Sequence, residues 1–115
     1  MKTEKEFLES KAPSFAIYQI KRGDDFRDLR FEPFQRLIDL GKNPERTNYD
    51  FIYAAPFVEE ETLEQIFTRF NLNRPADFMG HSLSVSDVVA INKGGNITAH
   101  YVDSFGYQTI AGFLG

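Results

Sequence analysis

The chain has no cysteine and no tryptophan. Without thiols there is no disulfide framework, no thiolate nucleophile and no sulfur-ligated zinc site, which disfavours a small secreted scaffold. No run approaches the roughly 18 apolar residues of a membrane span. The opening residues MKTEKEFLES lack the apolar stretch of a signal peptide, so a cytoplasmic chain with no membrane partner is the expectation. The formal net charge of −4 supplies no basic surface for sequence-independent binding to nucleic acid. It is also too mild for a carboxylate-striped mimic of DNA, since Glu59-Glu60-Glu61 is the one acidic run. From Pro75 onward charge almost disappears, leaving Asp77, Asp87, Lys93 and Asp103.

Within these limits the composition is that of an ordinary globular domain: 115 residues, 42% hydrophobic and 26% charged. A chain of this length buries roughly two-thirds of its unfolded surface, enough for a core without staples. The 12 Phe and 5 Tyr are the unusual resource, because each ring buries a large area. Residues 1–13 alternate in charge up to Pro13 and read as a flexible or helical N-terminal tail, with one domain over 14–115.

Ser14 to Lys21 alternates weakly and reads as a first strand, stopped by Gly23-Asp24-Asp25. Pro33 to Leu40 reads as a helix, with Phe34, Leu37 and Ile38 on one face and Gly41 as terminator. Tyr49 to Phe57 reads as a second strand. In TLEQIFTRFN, Leu63, Ile66, Phe67 and Phe70 form a full amphipathic stripe, and Thr62 with Gln65 makes a capping box. Acidic residues 59–61 and Glu64 suit the positive end of that helix. Val88 to Asn92 and Ile97 to Ser104 read as a hairpin around Lys93-Gly94-Gly95-Asn96, and Tyr107 to Ile110 as a short last strand. The order predicts an α+β fold: a small, mostly antiparallel sheet ending in a C-terminal hairpin and meander, with two helices packed on one face. A small barrel closed by the last strands is the alternative.

The densest polar cluster is Gly80 to Asp87, with His81, Ser82, Ser84, Ser86 and Asp87. It lacks the G-x-S-x-G nucleophile elbow and any sign of an oxyanion hole. A tight helical turn, with Ser84 or Ser86 satisfying free backbone N–H groups, explains it better than a hydrolase does. On the return strand, period-2 alternation places His100 with Val102 and Tyr101 with Asp103, so His100 and Asp103 face opposite ways. His81, Asp87 and His100 have no metal-ligand spacing. Gly94-Gly95 precedes a strand, not a helix, and serves a turn and not a phosphate loop. Basic residues between 21 and 46 alternate with acidic ones, which predicts local ion pairs ahead of a nucleic-acid patch. No catalytic residue, cofactor or metal is expected. Surplus aromatics such as Phe26, Phe31, Phe34, Phe57, Phe78 and Phe105 would mark a partner site wherever they stay at the surface.

The segments SLSVSDVV and YVDSFG, with LEQIFTRFN, ADFMG and an early YQIKRG, resemble the YodL-like family over roughly residues 14–113. That resemblance implies a small bacterial domain found in Firmicutes, alone or within larger proteins of plasmids and conjugative elements. It implies accessory work by contact with another protein and brings no catalytic residues. The motif positions Ser84, Ser86, Asp87, His100, Tyr101, Asp103 and Phe105 are the candidate contact residues. The alternatives are a nucleic-acid-associated accessory domain, or a small-molecule binder or enzyme using His81, Ser84, Asp87 and His100.

Overall fold

Strand β1, Ser14–Ile20, carries large apolar side chains on both faces, and a strand of that kind must be covered on both sides. The computed structural model describes residues 3–56, 62–72 and 75–114 and places β1 near the middle of a five-stranded antiparallel sheet. The other strands are β2 (Tyr49–Pro56), β3 (Val88–Lys93), β4 (Asn96–Val102) and β5 (Tyr107–Ile110), in the order β2-β1-β3-β4-β5. The sheet is open, with β2 and β5 as its edges, so the barrel alternative is not what forms. Residue Phe57 and the acidic run 59–61 lie outside the described residues.

Two cores result. Ala16, Tyr18 and Ile20 of β1 join Ala90, Ala99 and Tyr101 on one face. That face is covered by Phe7 from helix α1 (Glu4–Glu9), Leu37 from helix α2 (Phe34–Asp39) and Phe113. Phe15, Ile17, Val89 and Val102 form the other face, covered by Ile66 and Phe70 from helix α3 (Leu63–Leu72). The expectation of two helices on one face is therefore corrected: α2 and α3 lie on opposite faces. Most ring pairs in the two cores pack edge-to-face, as between Tyr18 and Phe113 at 5.4 Å and Phe70 and Phe78 at 4.9 Å.

Local chemistry sets the ends of these elements. The α3 capping box forms as the sequence predicts, with Gln65 N–H donating to Thr62 Oγ1 (3.2 Å) and Thr62 N–H to Gln65 Oε1 (2.8 Å). Helix α2 stops in a Schellman motif: Gly41 takes a positive φ of 73°, its N–H donates to Ile38 O, and Lys42 N–H donates to Leu37 O. The segment after Gly23, expected only as a turn, winds into a 3₁₀ helix over Asp24–Leu29. Among the described residues, no helix is long and apolar enough to cross a membrane.

Candidate functional site

The two motif segments converge on one piece of chain, residues 31–34. Phe31 N–H donates to Ser86 Oγ (3.0 Å), Glu32 O accepts from the Tyr101 hydroxyl (2.6 Å), and Phe34 N–H donates to Asp103 Oδ1 (3.1 Å). Asp103 thus caps α2 from the turn just past β4, because the helix has no side-chain cap of its own. Burial raises the Asp103 carboxyl, but N–H donation from Phe34 and Ser104 and a bond from Gln108 outweigh it and leave its pKa below the usual value. Tyr101 and Asp103 share the α2 face, while His100 points to the other, as the alternation predicts.

Both ends of the Phe31–Ser86 bond sit in left-handed backbone, with φ of 63° at Phe31 and 86° at Ser86. These are the described non-glycine residues with positive φ, a conformation that costs a side-chain-bearing residue about 1–2 kcal/mol. The Ser84–Asp87 segment is accordingly a β-turn, closed by Asp87 N–H to Ser84 O (3.1 Å), and not the expected helical turn. The physical reason is that Ser86 N–H donates to Val102 O and Val102 N–H to Asp87 O, which draws residues 86 and 87 into the β3–β4 ladder. Tyr49 locks the turn from below, its hydroxyl donating to Ser86 O at 2.6 Å.

Asp87 is buried beneath this turn. Its Oδ2 accepts from Ser84 N–H (2.9 Å) and from Gln19 Nε2 (3.1 Å). Burial pushes its pKa up to about 8 against those two stabilising bonds. Gln19 Nε2 also donates to His81 O (2.8 Å), and Gln19 Oε1 accepts His81 N–H (3.2 Å), so one amide pins the 81–87 segment to β1. The His81 Nδ1 lies 2.7 Å from Ser82 O and 3.2 Å from Gln19 Nε2. Its Nε2 faces Asp87 Oδ1 at 4.0 Å. Gly80 is required at its position, because a Cβ there would strike Gln19 Oε1 and come within 2.7 Å of Ile52.

Ser84 Oγ donates to Ser82 O, Ser86 Oγ is used by Phe31, and neither hydroxyl is bonded to His81. His100 is held elsewhere, 2.9 Å from Thr98 Oγ1 and 3.4 Å from Thr109 Oγ1, and burial, then the charge of Lys93, lowers its pKa. No three His, Asp or Glu side chains gather as a metal cluster among the described residues. Several basic residues of 21–46 are engaged: Arg27 pairs with Asp24, Arg36 with Glu32, Arg46 with Glu4, and Arg30 donates to Lys21 O and Gly23 O.

Large apolar side chains are exposed on and beside the fastened segment. Phe31 is 61% exposed, with its ring 6.4 Å from that of His81. Met79, two residues before His81, is 83% exposed, and Phe105, two residues after Asp103, is 95% exposed. Sequence reasoning placed Ser86, Asp87, Tyr101, Asp103 and Phe105 among the motif residues but did not single out Gln19 or Met79. The signal for Gln19 was available, as the one amide inside an apolar strand.

The YodL-like domain model matches residues 14–113, so the chain belongs to the YodL-like domain family. No curated protein and no solved structure matches it.

Proposed function

We propose that this YodL-like domain is a protein-contact module whose contact surface is the end of the sheet carrying Phe31, Met79, His81 and Phe105. The observation that carries this reading is Phe31, an aromatic side chain held in solvent by a strained backbone on both sides of its anchoring bond. Isolated exposed apolar residues need no explanation, whereas an aromatic ring fixed at the surface at the expense of backbone stability does. In this reading Ser86, Tyr101 and Asp103 are positioning residues that fasten segment 31–34, and Phe31 and Phe105 touch the partner. The module acts as an accessory protein of the bacterial cell or its mobile elements, by contact and without chemistry of its own.

The test places a benzoylphenylalanine photo-crosslinker at position 31, 79 or 105, with exposed Thr68 on α3 as the control position. Discrete adducts that a protease removes are expected from 31 and 105 and not from 68. Adducts removed by nuclease, or the same smear from every position, would count against it. Phe31→Asn gives a second readout. Asparagine tolerates left-handed backbone better than phenylalanine, so recovery of ~1 kcal/mol would raise the melting temperature by about 4–8 °C. The same variant is expected to lose the adduct at 105 by about tenfold or more, equivalent to ~1.4 kcal/mol of binding. A variant that melts lower and binds as before would show that Phe31 serves folding.

A further inference from the structure

Strand β1 outruns its neighbour β3. Their ladder runs from Ser14–Asn92 to Tyr18–Val88 and ends there. Gln19 is the next residue of β1, only 3% exposed between the buried Tyr18 and Ile20. A buried amide has to find partners for its carbonyl oxygen and its two N–H hydrogens. All of them go to the 81–87 segment. Oε1 accepts His81 N–H, and Nε2 donates to His81 O (2.8 Å) and to Asp87 Oδ2 (3.1 Å). The Gln19 side chain therefore meets the N–H and C=O of His81 as the backbone of a neighbouring strand would.

Both supports of the exposed Phe31 ring lead back to this amide. The first is His81, which is fixed through its own N–H and C=O and holds its ring 6.4 Å from that of Phe31. The second runs through Asp87. Its Oδ2 also accepts Ser84 N–H (2.9 Å), which ties off the turn in which Ser86 Oγ accepts Phe31 N–H (3.0 Å). Asn92 offers the contrast, as the other buried side-chain amide among the described residues. Its Nδ2 donates to Phe7 O and Ser10 O and its Oδ1 accepts Gly95 N–H, so none of its bonds reaches 31–34 or 79–87.

We infer that Gln19 is a positioning residue of the contact surface: its one amide sets where His81 and Phe31 stand relative to each other, so a side chain buried in β1 governs what the partner meets. The inference rests on the protein-contact reading and deepens it. Ser86, Tyr101 and Asp103 fasten the backbone of 31–34, whereas Gln19 fastens the 81–87 segment beside it. Packing alone does not call for glutamine here. A methionine would suit the apolar pattern of SFAIYQI, but it would strip His81 N–H, His81 O and Asp87 Oδ2 of a partner.

The test compares Gln19→Met with Asn92→Leu, each of which removes one buried amide and nearly conserves its volume. Both are expected to lower the melting temperature, and both are studied at a temperature where circular dichroism shows them folded. Where either does not fold, the milder Gln19→Asn and Asn92→Ser carry the same comparison. The contact readout is the benzoylphenylalanine adduct from position 105, with Phe31 left native. Gln19→Met is expected to lose that adduct by about tenfold or more, while Asn92→Leu keeps it within about twofold. In NMR hydrogen exchange, the Phe31 amide is expected to open about tenfold faster in Gln19→Met and to be unchanged in Asn92→Leu. Equal adduct losses in the two variants would show that Gln19 serves stability alone. An adduct or a Phe31 amide that Gln19→Met leaves unchanged also overturns the inference, and the contact module still stands. A parent chain that gives no protease-sensitive adduct ends the contact reading and this inference with it.

Discussion

Phe7→Ala is expected to destabilise the chain by about 3–5 kcal/mol, the range for truncating a fully buried phenylalanine. Phe7 lies outside the span matched by the family model, yet it is completely enclosed in the core shared by Tyr18, Leu37 and Phe113. Six residues cannot hold a helix in water unaided, so α1 exists because of what it docks on. Asn92 Nδ2 donates to Phe7 O (2.9 Å) and Ser10 O (3.1 Å), tying the helix to the β3–β4 hairpin. Glu4 Oε2 accepts from Arg46 Nε (2.8 Å) and the Tyr18 hydroxyl (2.7 Å). The Arg46 bond holds the Glu4 carboxyl below its usual pKa. That pair is partly exposed and is worth only ~0–1 kcal/mol, so it will not keep α1 in place once the ring is gone. Urea unfolding of Phe7→Ala beside Leu8→Ala, where Leu8 is far more exposed, measures the difference. A Phe7 loss below ~1 kcal/mol would show that α1 is an appendage and that the 14–113 span is stable without it.

The contrast between α1 and α3 shows what kind of information a single sequence carries. Helix α3 was legible because ten residues repeat an apolar stripe and a capping box marks its start. The KGGN hairpin and the bounds of β5 were legible for similar local reasons, namely positive-φ glycines at 94 and 95 and a period of two. Helix α1 offered only Phe7 and Leu8 in a run of charges, and nothing local reveals that a ring will be enclosed. The placement of α2 and α3 on opposite faces was hidden for a related reason. An apolar strand such as SFAIYQI declares that both faces are covered but not by which helix. The site shows the same division. The segments around Ser86 and Asp103 stood out as polar punctuation, and the structural reading of their hydroxyls and carboxylates was half of the answer. Their partner is the backbone of 31–34, more than 50 residues away, and neither the pattern at Phe31 nor that at Ser86 announces a positive φ in a residue with a side chain.

The buried carboxylate of Asp87 is expected to make the stability of this domain fall as pH rises from about 5 to about 8.5. Its folded pKa of about 8 stands above the ordinary 3.8. Below the ordinary value both folded and unfolded chains hold the proton, and the stabilising contribution is complete. Between the two values the folded chain alone holds it, so unfolding releases a proton and stability drops by up to ~1.4 kcal/mol per pH unit. Above about 8 the folded chain also loses its proton, and the contribution is gone. The groups facing Asp87 are the neutral donors Ser84 N–H and Gln19 Nε2, the His81 ring at 4.0 Å, and the ring system of Tyr49 and Tyr101, whose hydroxyls are pushed well above their usual pKa by burial. Glu4 works in the opposite sense, losing stability as pH falls through its lowered pKa, which is why the window begins at about 5. Asp87→Asn keeps the shape and an acceptor for Ser84 N–H but has no proton to lose. It is expected to flatten the fall, with the variant less stable than the parent at pH 5 and equal or more stable at pH 8.5. Thermal melts across that range, repeated in a His81→Gln background that takes away the ring beside Asp87, give the comparison. If Asp87→Asn melts with the same slope as the parent in both backgrounds, Asp87 is ionised throughout, and the bonds from Ser84 and Gln19 outweigh its burial.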